Sequence, residues 1–253
     1  MTIRLAALIH SGFWRSMDWI YPPVCASCGE AGYRLCADCM SKIRFIKGDR
    51  CTVCGERLAR PIEVCLDCQH QPPPYTAVRS LADYEGVIRE CIHAIKYDHN
   101  LGLGEFFSPM LADLVEEAGW RPDLAMPVPL SAQRAVERGY NQAACIAKPL
   151  AARLGVRYHP FGIERTRDTP SQVGLSAEAR RQNVLGAFIA QPVIVSHMRI
   201  LLVDDVMTTG STMEACAQAL RDAGAKEIYG LTLGRFARKA PRKTQSNPAS
   251  SIM

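Results

Sequence analysis

Eight of the eleven cysteines in this chain fall in four Cys-x-x-Cys pairs within a stretch of 44 residues. The pairs are Cys25 and Cys28, Cys36 and Cys39, Cys51 and Cys54, and Cys65 and Cys68. The two sulfurs of such a pair can face one metal ion, and two pairs complete a tetrahedral set of four thiolates. The spacing therefore predicts a small domain that folds around two metal ions.

The four pairs form two copies of one unit. Cys25 and Cys51 each begin the pattern Cys-x-x-Cys-Gly-Glu, whereas Cys36 and Cys65 each begin Cys-x-Asp-Cys. The glycine can take the positive φ that closes the turn. Sequential pairing, in which each copy holds one ion with its own four cysteines, is the simplest arrangement, and a cross-braced pairing is left open.

Paired cysteines can bind zinc, hold iron in a rubredoxin-like site or act as thioredoxin-like redox pairs. Four pairs in so short a stretch, without a strand–helix frame, argue against redox catalysis, and zinc is favoured over iron because it is the more frequent metal in such sites. Each predicted set is closed, with no position for water, so both zinc ions are expected to be structural. His70 is interpreted as a linker residue rather than a ligand.

Composition and charge exclude several classes of function. Hydrophobic residues make up 48% and charged residues 22% of the 253 residues, which is typical of a globular protein. The tail from residue 237 onward contributes four of the five net positive charges, so a broad basic groove for nucleic acid is not expected. No stretch is long and apolar enough to span a bilayer, and the N-terminus lacks the apolar run of a secretory signal. A cytoplasmic location is therefore expected.

Four regions are predicted along the chain. Residues 1–23 are predicted as an amphipathic helix that docks on the protein's own core, since apolar residues recur at helical spacing and the polar face has no basic stripe for a membrane surface. Residues 24–71 are predicted as the double zinc ribbon. A proline run at 72–74 precedes the second domain, residues 75–236. Residues 237–253 are predicted as a disordered basic tail.

The second domain alternates between strand and helix patterns. Strands are predicted at 77–84, 124–128, 199–203 and 228–233, and helices at 87–97, 103–118, 142–154 and 211–223. Alternation of this kind predicts an α/β fold with a parallel sheet flanked by helices.

One segment combines an apolar strand, two carboxylates and a loop of hydroxyl and glycine residues. It runs over residues 199–212 as RILLVDDVMTTGST and leads into a helix. Amides at a helix N-terminus and the loop hydroxyls can donate to a terminal phosphate, and Gly210 allows close backbone approach. The segment lacks the P-loop pattern, and Asp204 and Asp205 would repel a triphosphate unless they bound sugar hydroxyls or magnesium. A monophosphate cradle is predicted.

These residues closely resemble the ribose-5-phosphate loop of type I phosphoribosyltransferases, whose substrate is 5-phosphoribosyl-1-pyrophosphate (PRPP). The resemblance implies that Asp204 and Asp205 hold the ribose hydroxyls. It also implies that the 5-phosphate is held by Thr208, Thr209, Gly210, Ser211 and Thr212. The expected fold is a type I phosphoribosyltransferase-like parallel sheet flanked by helices. A small N-terminal double zinc ribbon, with four cysteines around each ion, is expected to precede it.

A narrower resemblance, to the competence-protein ComF family, covers residues 21–236 without a missing block. It is carried by the double cysteine region, Ile95-Lys96-Tyr97, Val128-Pro129-Leu130-Ser131, Arg134, Arg138-Gly139-Tyr140-Asn141-Gln142, Arg165-Thr166, Gln172, Leu175, the run 180–183 and the phosphate loop. The resemblance implies a role with incoming single-stranded DNA, so single-stranded DNA or DNA-uptake proteins are expected as partners.

Transfer from PRPP requires stabilisation of the leaving pyrophosphate, which Mg²⁺ and cationic side chains can supply. Lys96 and Arg138 are the cationic candidates, and Arg134 is weighted lower, because long cations are usually just solvated. Lys96 and Arg138 join Asp204 and Asp205 as predicted catalytic residues.

The polar stretch from Arg165 to Asn183 is predicted as a mobile lid that closes over PRPP and excludes water. Its Arg180 is a further predicted catalytic residue. Hypoxanthine-type enzymes carry an aspartate general base where this loop has Thr208, and a threonine cannot take that role at neutral pH. The acceptor, a nucleobase among the candidates, is therefore left open.

Two functions are predicted. The first is a Mg²⁺-dependent phosphoribosyltransferase, favoured because a lid over a phosphate site has little use if water need not be excluded. The second is a non-catalytic, PRPP-responsive adaptor that binds single-stranded DNA or protein partners through its zinc ribbon.

Overall fold

The computed structural model describes residues 22–60, 62–167 and 186–237. The predicted N-terminal helix and the predicted basic tail lie almost wholly outside these ranges. The predicted lid lies outside them from residue 168 onward, and with it Arg180.

A five-stranded parallel sheet is the centre of the fold. Its strands are β1 (Ala77–Asp83), β2 (Leu124–Pro127), β3 (Arg157–Tyr158), β6 (Arg199–Met207) and β7 (Glu227–Arg235). Their spatial order is β1-β7-β6-β2-β3, and a separate antiparallel pair is formed by β4 (Ile163–Arg165) and β5 (Phe188–Ala190).

Helices cover both faces of this sheet, because its strands alternate apolar side chains between the two faces. The helices are α1 (Ala37–Ser41), α2 (Leu66–His70), α3 (Gly86–Tyr97), α4 (Gly102–Glu117), α5 (Ala132–Arg138), α6 (Gln142–Leu154), α7 (Pro192–Val195) and α8 (Ser211–Asp222). Leu201 and Val203 of β6 pack with α3, α4 and α6, whereas Ile200 and Leu202 pack with α8. The predicted α/β fold with a parallel sheet is confirmed.

The eight strands and helices predicted for the second domain are present, with one informative difference. The strand predicted to end at Val203 continues to Met207. Its pairing with β7 extends to Met207, which lies opposite Arg235. Asp204 and Asp205 therefore lie within the strand rather than after it. The elements that sequence analysis missed, such as α5 and β3, are too short to show a clear period.

The cysteine region packs directly on the edge of the sheet. The amide of Val78 in β1 donates to the carbonyl of Val53 at 2.7 Å, and the amide of Ile46 donates to the carbonyl of Leu81 at 3.0 Å. The unpaired edge of β1 is thereby covered. The proline run at 72–74 thus connects two parts of the chain that are in contact.

The two copies of the cysteine unit pack on opposite faces of the sheet. Cys25, Cys36 and Cys39 belong to the apolar cluster that contains α3 and α4, whereas Cys51, Cys54 and Cys68 belong to the cluster that contains α8. Across the described ranges, no helix has the length and hydropathy that a membrane span requires.

Candidate functional site

The structure groups the paired cysteines sequentially into two sets of four. The first set is Cys25, Cys28, Cys36 and Cys39, the second is Cys51, Cys54, Cys65 and Cys68, and within each set the sulfurs lie within 4.8 Å of one another. Cys28 Sγ lies 3.7 Å from Cys36 Sγ, and Cys54 Sγ lies 3.7 Å from Cys65 Sγ. Zinc–sulfur bonds of about 2.3 Å in a tetrahedron place the sulfurs about 3.8 Å apart, so both sets fit a zinc ion.

At the first cysteine of each set, backbone amides favour the thiolate form that zinc requires. The amide of Cys36 donates to Cys25 Sγ at 3.4 Å, and the amide of Cys65 donates to Cys51 Sγ at 3.3 Å. Burial acts to raise the pKa of Cys51, but three amide donors outweigh it and lower the pKa to about 7. In the same way the pKa of Cys25 falls to about 6. His70 ends α2 and is not part of either described set.

A cleft of about 390 Å³ opens at the carboxyl ends of β2 and β6. The chain leaves β2 toward β3 on one side and leaves β6 toward β7 on the other, so these two ends form the switch point at which open α/β sheets bind ligands. Of the predicted residues, the cleft is lined by Lys96, Arg134, Asp204, Asp205, Thr208 and Thr212. Arg165, from the described start of the predicted lid, also lines it.

The two aspartates at the floor of the cleft have different environments. Asp205 is buried, forms an ion pair with Lys96 through Oδ2, and accepts a hydrogen bond at Oδ1 from Gln142 Nε2 at 3.2 Å. Burial acts to raise the pKa of Asp205, but the charge of Lys96 lowers it below its ordinary value. Burial and the charge of Asp205 raise the pKa of Asp204 well above its ordinary range. Asp205 thus carries the stable negative charge of the pair.

The predicted phosphate loop connects β6 to α8. Gly210 has a φ of 90°, which only glycine adopts readily, and it leads the chain into the first turn of this 12-residue helix. The hydroxyls of Thr209 and Ser211 lie 2.8 Å apart. Thr208 and Thr212 line the cleft, whereas Thr209 lines a second cavity, next to Cys54 and Cys68.

Arg138, a predicted pyrophosphate contact, is not among the residues that line the cleft. Its guanidinium lies 5.2 Å from the centre of the Tyr97 ring, and Nη1 donates to Gln142 Oε1 at 2.5 Å. Because Arg138 ends α5, its side chain can reach the start of α6 across the turn at Gly139. Arg138 therefore supports the residue that holds Asp205.

The run from Arg138 to Gln142 joins three parts of the site. The hydroxyl of Tyr140 donates to the carbonyl of Ile95, next to Lys96. Asn141 caps α6 and donates through Nδ2 to the carbonyl of Val128 at 2.9 Å, which anchors the loop after β2. Apart from Arg138, sequence analysis included this run only as part of a family resemblance and gave no role to Gln142.

Fold and site together define a phosphoribosyltransferase-like protein with a double zinc ribbon, and comparison with known families agrees. Residues 16–69 match the double zinc ribbon domain. Residues 141–251 match the phosphoribosyl transferase domain.

Two kinds of relative match the chain in sequence over most of their length. The chain is 33% identical over 200 residues to DNA utilization protein YhgH of Salmonella typhimurium, which covers 77% of this chain and 87% of that protein. It is 31% identical over 211 residues to competence protein F of Haemophilus influenzae, covering 79% of this chain and 90% of that protein. The chain therefore belongs to the ComF family of competence and DNA utilization proteins, and the predicted membership is confirmed.

Solved structures resemble the chain more distantly. The glutamine PRPP amidotransferase of B. subtilis is 22% identical, with a TM-score of 0.38, over 53% of this chain and 26% of that chain.

Proposed function

We propose that the cleft binds PRPP and that the protein transfers the phosphoribosyl group to an acceptor. The observation that carries this proposal is the meeting of two elements at one cleft: the pair Asp204 and Asp205, and the hydroxyl loop at the N-terminus of α8. Carboxylates can accept hydrogen bonds from a ribose diol, and helix amides with hydroxyls can donate to a phosphate. A sugar phosphate has both groups.

The charges around the cleft suit an anionic substrate that arrives with a metal ion. Lys96, Arg134 and Arg165 line the cleft together with the carboxyl groups of Asp204, Asp205 and Glu137. Mg²⁺ prefers oxygen ligands and is usually held by one or two carboxylates together with substrate phosphates, so Asp204 and Asp205 fit it. When bound, Mg²⁺ would neutralise charge on the departing pyrophosphate.

The protein's own residues would divide the work of transfer among them. The bond from ribose C1 to the pyrophosphate oxygen breaks and its electron pair leaves with pyrophosphate. The acceptor donates an electron pair to form the new bond at C1, and the proton that it loses passes to the departing pyrophosphate. Arg134 and Arg165 can stabilise the leaving group. Lys96 keeps Asp205 ionised, so that this carboxylate can accept from the diol. The predicted lid, with Arg180, would exclude water that otherwise hydrolyses the sugar.

A non-catalytic, PRPP-responsive adaptor is the second candidate. It is favoured by Thr208, which lines the cleft where hypoxanthine-type enzymes are expected to carry a general base. It is also favoured by relatives named for competence and DNA utilization. In this case single-stranded DNA or a protein would bind through the zinc ribbon, and PRPP would act as a signal. Both candidates place the protein in the cytoplasm, where cysteines stay reduced.

The two candidates are separated by measuring PRPP binding and PRPP consumption on the same preparation. Calorimetry with Mg²⁺ should show PRPP binding to the wild type and loss of binding in the Asp204→Asn, Asp205→Asn double variant. Pyrophosphate release should then be screened with each nucleobase and with single-stranded DNA. Release with one acceptor supports the enzyme, binding without any release supports the adaptor, and absence of PRPP binding contradicts both.

A further inference from the structure

Arg235, the last residue of β7, is a buried cation that contacts the second cysteine set. Only 4% of the residue is exposed. Its Nη1 donates to the carbonyl of Cys54 at 2.7 Å, and its Nε and Nη2 donate to Glu56 Oε2 at 3.2 and 2.9 Å. Glu56 is the glutamate of the Cys-x-x-Cys-Gly-Glu pattern, so the guanidinium holds the turn that carries two of the four sulfurs.

The same guanidinium also reaches the residue that precedes the phosphate loop. Nη1 of Arg235 donates to Met207 Sδ at 3.1 Å, and the next amide along the chain, that of Phe236, donates to the carbonyl of Met207 at 3.0 Å. A Cβ added at Gly210 would lie 2.8 Å from Met207 Cε, so this methionine packs directly against the loop. One planar guanidinium thus contacts both the turn at Cys54 and the residue that precedes the phosphate loop.

The space between the cysteine set and the loop is small. A cavity of about 190 Å³ is lined by residues of both structures: Cys54 and Cys68 of the second set, and Met207, Thr209 and Glu214 of the loop region and α8. The first cysteine set lies in the apolar cluster on the opposite face of the sheet. Movement of the second set would therefore be transmitted to the phosphate loop. Movement of the first set would be transmitted to α3 and α4 instead.

We propose that Arg235 is a positioning residue that couples zinc in the second cysteine set to ligand binding at the phosphate loop. This inference rests on the proposed function of that loop. Zinc in the second set orders the turn at Cys54 and Glu56, which holds Arg235, and Arg235 holds Met207 beneath the loop. Since coupling between two sites is reciprocal, a ligand on the loop must tighten zinc binding in the second set, and we expect the tighter site to lose its zinc more slowly. Zinc in the first set does not take part.

The test is zinc release from the full-length protein to the chromogenic chelator 4-(2-pyridylazo)resorcinol, with and without saturating ribose 5-phosphate. Ribose 5-phosphate carries the phosphate and the diol but lacks the pyrophosphate that would itself bind zinc. Cys28→Ser and Cys65→Ser each leave one complete set, which assigns the two release phases. We expect ribose 5-phosphate to slow release from the second set by about fivefold or more and to leave the first set unchanged.

The repeat supplies a matched control. Glu56→Gln removes the charge that pairs with Arg235 and should abolish the slowing of zinc release by ribose 5-phosphate. Glu30→Gln, at the equivalent position of the first copy, should preserve this slowing. Arg235→Lys is a second variant. It keeps the charge but loses the planar guanidinium with its several donors, and it should also abolish the slowing. Equal slowing of both phases, or a ligand effect that survives in Glu56→Gln, overturns the coupling.

Calorimetry with ribose 5-phosphate separates this failure from failure of the proposed function. If the wild type binds ribose 5-phosphate without selective slowing of zinc release, only the coupling is wrong. If the wild type does not bind it, the sugar-phosphate site and the coupling are both overturned.

Discussion

The side-chain amide of Gln142 donates to Oδ1 of Asp205 at 3.2 Å across 63 positions of sequence. This contact connects the first turn of α6 to the C-terminal part of β6. Arg138 donates to the other end of the same amide, and Lys96 pairs with the other oxygen of the same carboxylate. Asp205 is therefore held from both sides before any ligand arrives, which is the preorganisation that a sugar-binding carboxylate needs.

Arg138 and Gln142 should behave as one unit in PRPP binding. Arg138→Ala and Gln142→Met are each expected to weaken PRPP binding, by up to about tenfold, because each loosens Asp205 through a charge-assisted contact. The double variant should bind no more weakly than Gln142→Met alone, since both changes break the same connection. Calorimetry measures all three, with the exposed Arg153→Ala on the same helix as a control. Additive losses would show that Arg138 contacts the ligand itself.

Asp205→Asn should weaken binding of PRPP with Mg²⁺ strongly. The change removes the buried negative charge that Lys96 neutralises and leaves that lysine without its counter-ion. Zinc content should stay at two ions per chain, because the cysteine sets do not contain this residue. Calorimetry and elemental analysis of one sample check both statements. Unchanged PRPP affinity would remove the phosphoribosyltransferase interpretation.

Elemental analysis of the purified protein should give two zinc ions per chain. The two sets provide eight thiolates in two closed tetrahedral shells, and Cys91, Cys145 and Cys216 lie outside both. Cys65→Ser should lower the content toward one ion. A wild-type ratio near one, with four thiols that react rapidly in the native protein, is the result that would contradict the duplicated site.

Arg180→Ala tests whether the predicted lid serves catalysis. We expect PRPP affinity to change by no more than a few fold and turnover to fall by about 10² or more, as for contacts made mainly in the transition state. Calorimetry and pyrophosphate release provide the two readouts. An equal loss in both would mean that Arg180 contributes only to ground-state binding.

The features that sequence analysis identified correctly depend on residues close together in the chain. Each cysteine set is assembled within 18 residues or fewer, so the spacing favoured sequential pairing, which the structure then distinguished from a cross-braced one. The strand, the loop and the first turn of α8 form one contiguous segment, and helix geometry directs its amides toward the loop wherever the segment lies in a fold. The period of apolar residues likewise predicted the long helices and strands, because burial of one face requires that period.

The contacts that decide how the site works join residues far apart in the chain. Arg138 has the charge expected of a pyrophosphate ligand, yet the placement of α5 beside α6 turns it toward Gln142. Arg235 showed no distinguishing pattern at all, because Glu56 lies 179 positions away and the two meet only where β7 ends beside the second cysteine set. Local spacing therefore determined the chemistry available to the protein. The packing of the sheet decided which side chain supports each carboxylate and the loop. A local sequence pattern cannot indicate a contact between residues so far apart in the chain.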